Sequence, residues 1–101
     1  MRKVEKEELH GFWKAVDKEN KNEIHIVFRK NGNARFSESN IPDLTHIGKY
    51  SILGEGDGQV IYIDASVKIE LPIFQLDSNN DSIILVWKLK QLRFDKYYIV
   101  D

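Results

Sequence analysis

Three histidines, His10, His25 and His46, are the side chains best suited to move protons or hold a metal near neutral pH. No two of them stand at a metal-ligand spacing, and each falls on a different element, so a shared site needs the fold to gather them. "DSNND" at 77–81 sets Asp77, Asn79 and Asp81 at alternate positions, as the first half of a calcium loop does. Its sixth position, where glycine makes the sharp turn, is Ser82, and its twelfth, where glutamate chelates the ion, is Lys88. A polar turn between strands is the better reading. "GEGDG" at 54–58 suggests a phosphate loop, yet a strand follows it instead of a helix N-terminus, and no Lys-Ser/Thr pair is present. The serines lie in or beside turns, and none occupies a Gly-x-Ser-x-Gly setting. Cysteine is absent, which removes disulfides, thiolate nucleophiles and zinc–thiolate sites. These residues call for no cofactor and no metal, and they do not argue for an enzyme. A small hydrolase or isomerase would need a polar cluster in a cavity that the sequence does not advertise.

The totals narrow the partners. A chain of 101 residues with 42% hydrophobic and 31% charged side chains is sized for one folded domain, 1–101. Fifteen basic and sixteen acidic residues give a net charge of −1, so no basic excess exists to displace counterions from nucleic-acid phosphates. The opposite charges are interspersed, as on a solvated surface. The start, "MRKVEKEELHGFW", has no apolar run, which reads as neither signal peptide nor transmembrane span. The expected location is cytoplasmic for the chain as it stands, or periplasmic or envelope-exported where a leader has been removed.

Period two dominates the chain. "EIHIVFR" (23–29) alternates Ile24, Ile26 and Phe28 against His25, Val27 and Arg29. Asn31-Gly32 follows as a hairpin signal, because both residues tolerate positive φ. "ARF" (34–36) returns beside it, and "SESNIPDLTH" (37–46) reads as a loop. Further strands are predicted at 48–53, 60–64, 66–77, 83–89 and 95–100. Within 66–77, Val67, Ile69 and Leu71 are in phase while Phe74 and Leu76 are not, and Pro72 is the natural place for the slip. Only the leader "VEKEELHG" is a helix candidate, with Gly11 near its stop. Seven or eight short strands with short connections predict an all-β, antiparallel up-and-down meander barrel carrying a short N-terminal helix. A β-sandwich is the alternative.

The spacing Leu9-x-Gly11-x-Trp13 after a short helical leader, followed by a meander, resembles the opening of lipocalin-like domains. The resemblance implies that Trp13 on the first strand plugs one barrel end, with a basic residue of the last strand packed across its ring. Arg93 and Lys96 are the residues placed to do so. It also implies binding of a small apolar ligand inside the barrel, lined by Trp13, Phe28, Phe36, Tyr50, Phe74 and Trp87. Their bulk favours a self-filled interior over a cavity, because eight strands leave little room.

Continuous apolar runs at 60–63, 83–87 and 97–100 imply strands covered on both faces. This predicts an intermolecular contact over the outer surface through residues such as Ile61, Ile84, Val86, Tyr98 and Val100, or their in-phase alternates, with a partner protein or a second protomer. The leading expectation is therefore a non-enzymatic, bacterial-type lipocalin-like domain that binds a small apolar ligand or a protein surface. The runner-up is a protein-interaction module of the immunity-protein or secretion-accessory kind.

Overall fold

Eight antiparallel strands close on themselves in chain order, each paired with its neighbours in sequence and the last with the first. The computed structural model describes residues 3–55, 58–77, 79 and 81–98. A 3₁₀ turn, Lys6–Leu9, precedes β1 (Gly11–Asp17), β2 (Asn22–Phe28), β3 (Asn33–Glu38) and β4 (Thr45–Leu53). The second half comprises β5 (Val60–Asp64), β6 (Lys68–Leu76), β7 (Ser82–Trp87) and β8 (Lys90–Tyr98). Closure leaves no unpaired edge, which removes the usual route to strand-to-strand aggregation. The barrel is the one the period-two pattern predicts, and the short helix expected in the leader is this 3₁₀ turn.

The interior is packed solid. Alternate residues of every strand point inward, and Ile24, Ile26, Ile61, Ile63, Leu71 and Phe94 are each 0% exposed. A cavity wide enough for water would leave accessible area on its walls, and these walls have none. Trp13, Phe28, Phe36 and Tyr50 are buried among them, as their phase predicts. Phe74 is the correction: it lies outside, 52% exposed. The β6–β7 register shifts between Ile73 and Gln75, so Phe74 and Gln75 both face outward before Leu76 turns in. The slip is real but falls two residues beyond Pro72.

Two boundaries also differ from the sequence reading. β3 and β4 extend to Glu38 and back to Thr45, which shortens the predicted 37–46 loop. β7 stops at Trp87 and β8 begins at Lys90, so the strand predicted at 83–89 is cut by a turn that the sequence hides. That turn is built from Lys88 (φ 51°) and Leu89 (φ 67°), residues poorly suited to the left-handed region. At the Asn31-Gly32 hairpin only Gly32 takes positive φ, 92°. Its N–H donates to Arg29 O, and Arg29 N–H donates to Asn33 O, which makes a turn with a glycine bulge instead of a two-residue loop.

One end of the barrel is sealed. Trp13 is 1% exposed, and its Nε1–H donates to Leu9 O at 2.7 Å, fastening the 3₁₀ turn across the opening. Lys96 Nζ sits 4.8 Å from the centre of the indole and donates to Glu8 O at 3.3 Å. Of the two basic candidates the structure selects Lys96, because Arg93 points outward to Asp95. Gln59 completes the seal by holding both polar groups of Val4: Oε1 accepts from Val4 N at 2.7 Å, and Nε2 donates to Val4 O at 3.0 Å. Gly11, at φ 141°, makes the bend from the turn into β1 that brings Trp13 underneath it.

Candidate functional site

The up-and-down order places the β1–β2, β3–β4, β5–β6 and β7–β8 connections together at the other end, around an open mouth. Here the inward phase of the strands continues past the core and becomes polar. Asp17 follows Trp13 and Ala15 on β1, Asn22 precedes Ile24 on β2, Glu38 follows Phe36 on β3, and Lys90 precedes Leu92 on β8. Above them lies a cleft of about 350 Å³ into which Trp87 also projects. Phe36, buried in the core, packs against Trp87 with ring centres 4.8 Å apart and planes tilted by 58°.

Hydrogen bonds fix the groups of the mouth. Lys90 Nζ bridges Asp17 Oδ1 at 3.2 Å and Glu19 Oε2 at 3.0 Å. Asn20 Nδ2 donates to Asp17 Oδ2 at 2.8 Å. Chiefly through that bond, with help from Lys90, the Asp17 carboxyl is held below its ordinary range. Its side chain, 11% exposed, lines the cleft, and at neutral pH it is an anion and an acceptor. Glu38, its side chain 9% exposed, collects two hydrogen bonds and an ion pair at one oxygen. Asn22 Nδ2 donates to Oε1 at 3.0 Å, Trp87 Nε1 at 3.3 Å, and Lys88 Nζ lies 3.8 Å away. Among the described residues these donors all reach Oε1, and Oε2 keeps its acceptor capacity. Asn22 Oδ1 accepts from Asn40 N at 3.0 Å, tying the β3–β4 loop to the rim.

The site residues predicted from the sequence separate into three places. Trp13, Phe28, Phe36 and Tyr50 belong to the filled core, and Tyr50 donates its hydroxyl to Arg29 O at 3.2 Å. Burial, reinforced by Glu7, pushes that phenol up to about 12. Trp87, of the six, lines the open cleft at the mouth. Among the predicted interface residues, Ile61 is corrected to the interior at 0% exposure, because Ile61 and Ile63 form the inward phase of β5. Ile84 and Val86 face outward on β7 and are half-buried by their neighbours. The Tyr98 side chain and Val100 lie outside the described residues, as do parts of the 54–58 and 77–81 turns.

The histidines are not gathered. His10 follows the 3₁₀ turn at the sealed end, His25 lies on the outer face of β2, and His46 pairs with Phe36 near the mouth. Among the described residues no group of three or more His, Asp or Glu side chains is placed to hold a metal ion, and no helix is long and apolar enough to cross a membrane.

The mouth groups Asp17, Asn22, Glu38 and Lys90 were missed by sequence reasoning. Their signal was a polar residue standing in the inward phase at a strand end, which becomes visible only once the turns are located. The closed barrel with one sealed end and one polar mouth is consistent with a domain that binds a ligand or a partner. No protein-family model matches the chain, and comparisons with curated proteins and with solved structures find no match.

Proposed function

We propose that this is a non-enzymatic, lipocalin-like binding domain that takes a small polar ligand at its mouth, not an apolar one inside the barrel. The lipocalin likeness is supported by the sealed end, where a Gly-x-Trp strand, a 3₁₀ turn and a cation from the last strand meet. The observation that carries the binding mode is a filled core beneath an open cleft floored by an indole and walled by fixed acceptors and donors. An indole offers a flat apolar surface, while Glu38 and the Asn side chains offer directional hydrogen bonds, a combination suited to hydroxylated molecules such as sugars. The carboxylates are engaged by Lys and Asn donors, an arrangement suited to holding a ligand.

Amide NMR spectra recorded with neutral mono- and disaccharides test this. Shift changes confined to the mouth residues around Trp87 are expected, and they should vanish in Trp87→Ala. A hydrophobic dye that instead perturbs core amides, or a mouth unmoved by every sugar, overturns the reading. A protein partner at the same end is the second reading, favoured by Leu89, which stands 99% exposed at the tip of the strained β7–β8 turn.

A further inference from the structure

We infer that the outer face of β2, β3 and β4, toward the sealed end, docks an acidic segment of a partner protein. A cleft of about 410 Å³ lies on this face, lined by Arg29, Asn31, Asn33, Ala34, Arg35 and Ile47. The register sets its cations side by side. Val27, Arg35 and Ile47 make one row across the three strands, and Asn33 and Lys49 belong to the next, beside Arg29. Arg29, Arg35 and Lys49 are all exposed. The carboxylates on β2, β3 and β5 are already engaged: Glu23 by His25, Glu38 by Lys88 and Asp64 by Lys68. Among the described residues neither guanidinium has an acidic partner. A chain of net charge −1 therefore holds a local cluster of positive charge, with Asp64 opposite Lys49 but no carboxylate on either arginine among the described residues.

The chemistry of the face selects its occupant. A guanidinium presents a planar fork that matches a carboxylate in two parallel hydrogen bonds, and two forks in one cleft suit two carboxylates on one segment. Ile47, 60% exposed, is the most exposed large apolar side chain on any described strand, and it lies in the same cleft. A small inorganic anion would use the arginines and leave Ile47 in water. An acidic segment carrying an apolar residue uses both. Because the barrel has no open edge, such a segment cannot add as a strand, so its binding depends on side chains and on charge. This face is separate from the mouth, and the inference stands apart from the ligand proposed there.

Fluorescence anisotropy of a labelled peptide of glutamates with interspersed leucines tests the inference, with a glutamine-for-glutamate counterpart and inorganic phosphate as controls. The glutamate peptide is expected to bind and to weaken steeply with salt, and the glutamine peptide to bind about tenfold more weakly. The double variant Arg29→Glu/Arg35→Glu should lose about tenfold or more while keeping the wild-type melting temperature. Ile47→Ser should lose about threefold with the salt dependence unchanged. Equal binding by wild type and the charge-reversed double variant overturns the proposal. So does inorganic phosphate that displaces the peptide with an affinity matching the peptide's own, because the cleft would then be a small-anion site.

Discussion

The two ends of the barrel are made from the same strands and solve opposite problems. At the sealed end the polar groups are few, buried and individually satisfied: the Trp13 indole by Leu9 O, and both polar groups of Val4 by Gln59. At the mouth they are many, lie near solvent, and answer one another through Lys90, Asp17, Glu38 and Asn22. A buried group without a partner costs its full desolvation, whereas water can replace a lost partner at an open rim. The sealed end is therefore where stability concentrates, and the mouth is where groups can be exchanged for a ligand's.

That contrast breaks most readily at the seal. Trp13→Ala should cost about 3–5 kcal/mol, read from urea denaturation, because it removes a large ring from a filled core and frees Leu9 O. A midpoint that barely moves would show the ring to be peripheral and the contrast false. Gln59→Ala should cost about 1–3 kcal/mol by leaving Val4 N–H and C=O unpaired, with faster exchange of the Val4 amide as its local signature. Wild-type exchange at that amide would show that water already enters the seal.

At the mouth the expected sign reverses. Replacing Lys88-Leu89 by Asn-Gly should stabilise the protein by about 1 kcal/mol, because the turn residues would then suit positive φ. A loss of stability would mean that the Lys88 contacts with Glu38 and the Trp87 ring outweigh the backbone strain. The smallest effect concerns Asp17. Its folded carboxyl titrates below the ordinary range, so its contribution is complete above that range and fades as pH falls through the lowered folded value. The stability gap between wild type and Asp17→Asn should be widest at neutral pH and narrow progressively as pH falls below about 4, the ordinary carboxyl value, measured by urea denaturation across that range. A gap that stays constant with pH would show the Asn20 and Lys90 contacts to be energetically silent.

The sealed end was the legible part. Leu9, Gly11 and Trp13 are close in sequence, and their roles follow from size, flexibility and phase, which are local properties. The mouth was not. Asp17, Asn22, Glu38 and Lys90 come from four strands, and the β7–β8 turn that brings Lys90 into phase is made of residues that signal no turn. Phe74 was misplaced for the same reason, since a one-residue slip sends a side chain to the opposite face. The apolar runs on β5 and β7 implied a covered outer surface. Four of those nine residues, Ile61, Ile63, Ile83 and Leu85, instead form the core, and the outward members are shielded by their neighbours.

The sequence by itself determined an alternating, turn-punctuated chain whose apolar phase must be buried and whose early tryptophan must seal it, because hydrophobic period and local backbone freedom are written residue by residue. Only the tertiary structure decided which strands meet, where the register slips, and that four polar strand ends converge on one cleft. Those outcomes depend on pairing between residues far apart in the chain, and pairing is chosen by the packing of the whole barrel.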